Sequence, residues 1–170
     1  MGQNKEGRGN ACPVTIIMPT LAMQAKEKTI TQIGEESPTE DFKKAHISNF
    51  MKLLDKKIGE AKDMLLERFE WICKQSPKSA PFMYGNHSIS GYIEEEGIRS
   101  GLKHFSLAIG QIALAETLQI LVHADHSESE EAMNLAKEIE GLFKKRCAEF
   151  KEEYKLNFGV YYTPKFSWVA

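Results

Sequence analysis

An apolar stripe running from Phe42 to Ile72 constrains the fold of this chain more than any other feature. Phe42, Ile47, Phe50, Leu54, Ile58, Ala61, Leu65, Phe69 and Ile72 recur at steps of three, four or five, so they share one side of an α-helix. Ser37-Pro38-Thr39-Glu40 supplies the start: Ser37 can cap, Pro38 suits the first helical position, and Glu40 completes a capping box. The prolines at 77 and 81 supply the stop, because each disfavours helix for the residue before it. The expected helix covers residues 37–75, with Gly59 its weak point, and spans on the order of 50 Å. A helix of that length is expected to pack across the outside of something larger.

The runs around it read as strands and further helices. Val14 to Met18, between Pro13 and Pro19, is a β-branched run of buried-strand type, giving a strand over 13–18 after a polar loop at 1–12. Residues 20–36 stay open between a helical turn and a loop. Phe82-Met83-Tyr84 reads as a short extended piece before the Gly85-Asn86 turn, and Glu94-Glu95-Glu96 as a solvated helical face. Phe105 to Gly110 alternates like a strand (105–110), with Gly110 allowing close backbone approach, and 113–123 is rich in helix formers. Ser127-Glu128-Ser129-Glu130 opens a helix over 128–154 with the stripe Met133, Ala136, Ile139, Phe143, Cys147, Phe150 and Tyr154. In the final strand, 157–162, Phe158, Val160 and Tyr162 alternate, and Pro164 ends the run. This order favours an α/β layer fold with mostly parallel pairing, and three strands make an incomplete sheet.

Composition narrows the class. The 170 residues suffice for one domain, and 42% hydrophobic with 27% charged residues is an ordinary globular balance. A formal charge of −2 offers no general footprint for nucleic acid or an anionic membrane. The longest apolar runs fall far short of the roughly 20 residues a bilayer span needs, and Met1 to Asn10 has no apolar signal core. The cytoplasm is therefore the expected location. Cys12, Cys73 and Cys147 form no C-x-x-C pair, and the odd count argues against a disulfide framework. All three are expected to be buried and inert.

No single motif settles the chemistry. His123-Ala124-Asp125-His126 brings two imidazoles and a carboxylate together, but helix-end capping accounts for the spacing better than metal ligation. Gly7-Arg8-Gly9-Asn10 has the composition of a phosphate loop without the Gly-x-x-x-x-Gly-Lys pattern. Lys78-Ser79 reads as a solvated elbow. Glu116, in an apolar helical stretch, needs either a partner or an exposed face. Thr163-Pro164 at a strand end can hold an anion through the hydroxyl and the following amides.

Four blocks in order carry more. Gly7-Arg8-Gly9-Asn10 through Ile16, Gln75 through Tyr84, Leu102-Lys103-His104 through Glu116, and Leu156-Asn157-Phe158 through Pro164 together resemble the anaerobic (class III) ribonucleoside-triphosphate reductases. The resemblance implies glycyl-radical enzymes built on a ten-stranded α/β barrel. A barrel cysteine becomes a thiyl radical that abstracts the ribose 3′ hydrogen, and formate is the usual reductant. It further implies structural zinc, allosteric ATP or deoxyribonucleoside triphosphates, a homodimer and a radical-SAM activase. By resemblance Asn10 matches an asparagine near the substrate, and Tyr162, Thr163 and Pro164 match the strand end that leads to a phosphate-binding helix start.

The chain departs from that pattern. No thiyl cysteine precedes Gly7, no Arg-x-Cys-Gly-Tyr type motif follows, and Lys165-Phe166 stands where the family continues into a helix. The expectation is an interior sector of the barrel that binds no cofactor itself and is inactive alone, because hydrogen abstraction needs a thiyl about 3–3.5 Å from the reacting carbon. Its partners would be the ribonucleoside triphosphate, the remaining reductase chain and the activase. The alternatives are part of an acyl-cleaving glycyl-radical lyase, or a non-catalytic module binding a nucleotide or partner.

Overall fold

A computed structural model describes residues 9–34, 39–86 and 88–162. Three parallel strands, β1 (Asn10–Ile17), β2 (Ser106–Ile112) and β3 (Asn157–Tyr162), pair in the order β1-β2-β3. Between β1 and β2 run α1 (Met18–Ile33), α2 (Glu40–Cys73), α3 (Pro81–Gly85) and α4 (Ile98–Leu102). Between β2 and β3 run α5 (Leu114–Val122) and α6 (Glu130–Tyr154). The α/β class and the parallel pairing agree with the sequence reading.

The pleat sorts each strand into two faces. Cys12, Leu107 and Phe158 form one row across the sheet and are buried beneath the helices. The Cys12 Sγ lies 4.0 Å from the Leu65 carbonyl of α2, and the Phe158 ring meets Phe150 of α6 edge-on at 5.5 Å. Hence α2 and α6 cover the same face. Leu107 and Ile109 of the central strand have no solvent exposure, and neither do Phe50, Leu54, Ile58 and Leu65 of α2 or Ile139 and Phe143 of α6.

The structure moves several boundaries. β1 begins at Asn10 rather than 13, and Met18 opens a helix rather than closing the strand. Pro19 lies in the first turn of α1, where a missing amide proton costs nothing. The ambiguous stretch 20–36 is thus helical to Ile33, closed by Gly34 at φ 101°, a left-handed conformation suited to glycine. What disguised α1 is its polar seam with α2. His46 Nε2 sits 2.8 Å from the Ala22 carbonyl, and Asn49 donates to Thr29 Oγ1 and Gln32 Oε1, each at 2.9 Å.

Helix α2 starts at Glu40, with Thr39 as its cap accepting from the Phe42 amide at 3.3 Å; Ser37 and Pro38 lie outside the described residues. Ile47 and Ile72 are only half-buried, at the margins of its stripe. Ser129, not Ser127, caps α6, accepting from the Ala132 amide at 3.0 Å. Ala132 and Leu135 join the α6 core, whereas Met133 is exposed. Phe82-Met83-Tyr84 is not extended but lies in α3, and Glu94–Glu96 forms an exposed 3-10 turn.

Two features of the sheet bear on its surroundings. Arg68 Nη1 of α2 donates to the Pro13 carbonyl at 3.3 Å, on a residue that has no amide proton of its own. At the other end of β2 the chain turns into α5 through Ala113 at φ 66°. The Thr117 hydroxyl holds this strained residue by donating to the Ala113 carbonyl at 2.7 Å. An alanine in the left-handed region costs about 1–2 kcal/mol. Replacing Ala113 by Gly is therefore expected to stabilise the fold by about 0.5–1 kcal/mol, read as a higher urea midpoint with an unchanged slope.

Candidate functional site

Parallel strands share a carboxyl edge, and here it is formed by Ile17, Ile112 and Tyr162. α1 and α5 both begin at this edge, directly after β1 and β2. Neither has a side-chain cap, since the capping positions are Ile17 and Ala113. Helix starts of this kind leave backbone amides without intrahelical partners and carry a partial positive charge, an arrangement suited to anions. Glu116, in the first turn of α5, is exposed, which settles the choice between partner and solvent.

The second face of the sheet lacks a helix layer among the described residues: Pro13, Thr15, Ile17, Ile112 and Tyr161 on it are all exposed. It changes character from end to end. At the amino edge Asn10, Ser106 and Asn157 form one row, and Asn157 Nδ2 donates to Ser106 Oγ at 2.9 Å. In the next rows the side chains are small, with Ala108 and Gly159 followed by Gly110. Thr15, Gly110 and Tyr161 stand side by side, and a Cβ on Gly110 would lie 2.9 Å from Tyr161 Cδ1. The Tyr161 ring thus leans over the central strand, while 38% of the residue stays exposed. At the carboxyl edge the face ends in Ile17 and Ile112.

Asn10 is exposed and is positioned by what precedes it. A Cβ on Gly9 would come within 2.6 Å of the Phe105 ring, and the Gly9 carbonyl accepts from the Ser106 amide at 2.7 Å. Asn10 and Tyr162 occupy opposite ends of the sheet. Five ladder steps separate their rows, roughly 17 Å along the strands. The structure therefore does not bring these two residues together. Thr163 and Pro164 lie outside the described residues.

Sequence reasoning missed Thr15, Ser106, Asn157 and Tyr161 as surface-forming residues. The signal was available. The alternation that turns Phe158 and the partly buried Val160 toward the helices necessarily turns Asn157, Gly159 and Tyr161 to the other face.

The cysteines do not reach that face. Burial pushes the Cys12 thiol up from its ordinary range, with the Arg68 guanidinium opposing, and its side chain lies on the helix-covered side. Burial also raises Cys73, which is half-buried rather than fully enclosed, and pushes Cys147 up to about 11. Such thiols carry little thiolate near neutrality.

The His123–His126 segment is a helix terminus. His123 closes α5 in a left-handed conformation, and Asp125 accepts from the Ser127 hydroxyl at 2.6 Å and its amide at 2.7 Å, which holds the carboxyl below its usual range. Among the described residues no three His, Cys, Asp or Glu side chains converge as metal ligands, so the zinc implied by resemblance is not assigned to them. Lys78 and Ser79 are exposed in a 3-10 turn. A cavity of about 280 Å³ between α1, α2 and α5 is lined by Lys26, Lys43, His46 and His123. Lys43 is engaged there by Glu131 at 2.7 Å and Glu40 at 3.2 Å, and these bonds raise its pKa. No helix of the described residues is long and apolar enough to cross a membrane.

Two outcomes follow from this geometry. Gly110→Ala places a methyl 2.9 Å from Tyr161 Cδ1 and 3.1 Å from Thr15 Oγ1. It should cost about 1–3 kcal/mol in urea unfolding, with much of the loss recovered when Tyr161→Ala is added. For Cys147 the folded thiol, at about 11, titrates above the unfolded one. The native state then binds more protons than the unfolded chain between these values, so stability falls as pH rises from about 9 to 11. Unfolding curves of wild type and Cys147→Ala across that window should show the alkaline loss flattened in the variant.

The family model for anaerobic ribonucleoside-triphosphate reductase matches residues 2–167. No curated protein matches the chain. The family match takes in all three strands and the helices between them, and so the chain belongs to the anaerobic ribonucleoside-triphosphate reductase family.

Proposed function

We propose that this chain forms one sector of the catalytic barrel of an anaerobic ribonucleoside-triphosphate reductase. In this reading its second sheet face and carboxyl edge contribute to the ribonucleotide site. The observation that carries it is the family match over residues 2–167, and the parallel sheet with two uncapped helix starts at one edge supports it. Triphosphates are multiply charged anions, and backbone amides at helix starts meet them without requiring lysine or arginine. β3 ends at this edge with Tyr162, and by resemblance Thr163 and Pro164, which follow it in sequence, would add a hydroxyl to the site.

The reaction proposed for the whole enzyme is reduction of ribonucleoside triphosphates to deoxyribonucleoside triphosphates. A glycyl radical, acting through a thiyl, would supply hydrogen abstraction in that enzyme, with formate as reductant. The residues of this chain would bind and orient. Cys12 is buried on the helix-covered side of the sheet, Cys147 is buried within α6, and Cys73 sits at the end of α2, so none of the three reaches the second sheet face. The thiyl is accordingly assigned to polypeptide beyond these strands, and the isolated chain should not turn over. The ten-stranded closure, the homodimer, allosteric ATP or deoxyribonucleotide control, zinc, the radical-SAM activase and a cytoplasmic setting belong to the same reading. Asn10, far from the carboxyl edge, would face a different part of the barrel interior.

Amide chemical-shift mapping tests this reading. Addition of ATP with magnesium should shift the amides of Met18, Thr20 and Leu21 and of Leu114 to Thr117 while leaving those of Glu138 to Phe150 in place. Shifts confined to the cavity beside Lys43 and His46, or none at all, would remove the support for a ribonucleotide site here.

A further inference from the structure

Tyr161 is the one large aromatic side chain among the described residues of the second sheet face, and no sequence motif draws attention to it. Its position is set by the strand register. It stands beside Gly110, which stands beside Thr15, and the missing side chain at 110 lets the ring lean across the central strand. Any residue larger than glycine at 110 would push the ring away, because its Cβ would sit 2.9 Å from Tyr161 Cδ1. The ring stays accessible, with 38% of the residue exposed. Around it lie uncharged groups, namely the Thr15 hydroxyl, the Gly159 backbone and the exposed side chains of Ile17 and Ile112.

We propose that Tyr161 is the stacking platform for the nucleobase of a ribonucleoside triphosphate bound at the carboxyl edge of the sheet. This deepens the function proposed above and rests on it. Three observations converge. An aromatic ring supported from one side by the sheet loses little freedom when a flat base covers it, and base–aromatic stacking tolerates every base because each has a π-face. Among the described residues of this sheet face the ring's neighbours are uncharged and mostly apolar, which suits a base and not a phosphate. The spacing also fits one ligand. From the Tyr161 row to Ile112 at the edge is two residues along β2, on the order of 7 Å, so a base on the ring leaves the triphosphate beyond the strand ends near the start of α5. The Asn10 row, four ladder steps behind Tyr161, lies outside that reach.

Calorimetric titration of the 170-residue chain with two probes, ATP and inorganic tripolyphosphate, provides the test. Wild type should bind ATP at least about fivefold more tightly than tripolyphosphate, the advantage expected of one stacked base. Tyr161→Ala should bring ATP down to the tripolyphosphate affinity and leave tripolyphosphate unchanged, whereas Tyr161→Phe keeps the advantage. Tyr161→Leu retains an apolar side chain on the strand and separates packing from stacking; it should behave like the alanine variant. An ATP advantage that survives in Tyr161→Leu, or is absent from wild type while tripolyphosphate binds, overturns the stacking role and leaves the triphosphate site standing. Failure of both probes to bind wild type overturns the ribonucleotide site itself, and the platform with it.

Discussion

Leu107 and Ile109 are the pivot of this structure. They lie on the central strand, without solvent exposure, between two parallel neighbours and under the helix layer. Their burial commits the alternate positions of β2 to the opposite face. Once Leu107 and Ile109 point at the helices, Ser106, Ala108, Gly110 and Ile112 have no choice of side. Register then carries the decision outward to Thr15 on β1 and Tyr161 on β3. The chemistry available on the second face is thus a by-product of hydrophobic packing on the first. A one-residue slip of β2 would exchange the two.

The same packing explains why the long helix is needed. α2 runs under β1 and β2 and also carries the polar seam that docks α1. His46 and Asn49 bury polar atoms there, and each is answered by a partner on α1, which keeps the cost of desolvation from being felt. A helix held at one end by the sheet and at the other by hydrogen bonds fixes the direction of α1, and hence where its uncapped start points.

Much of this was legible in the sequence. The stripe from Phe42 to Phe69, the β-branched run after Cys12 and the alternation after Asn157 each have one dominant period, and each was placed within a few residues. α1 was not legible, because its buried partners include Thr29, His46 and Asn49, which hydrophobic periodicity scores as surface. Caps were displaced for a simpler reason. Ser127 and Ser129 are both competent, and only the hydrogen bonding of Asp125 shows which is diverted. The short helices α3 and α4 follow from tertiary contacts such as Tyr84 against Tyr92 at 4.9 Å, not from propensity. At the candidate site the sequence named Asn10 and the end of β3, and the parallel pairing it favoured sets a strand start and a strand end at opposite margins.

The bond from Arg68 to the Pro13 carbonyl has a consequence for how this sheet meets other polypeptide. Backbone groups of one residue in a parallel strand point the same way, so Pro13 turns away from β2 with nothing to donate and an oxygen already taken. That flank is blunted against recruiting another strand along its middle. The β3 flank carries no proline among the described residues, but its outward-facing Phe158 amide already donates to the Leu156 carbonyl at 3.0 Å. Neighbouring strands would therefore meet the two margins at fixed detours: a partner of β1 has to pair around position 13, and a partner of β3 around the amide of position 158.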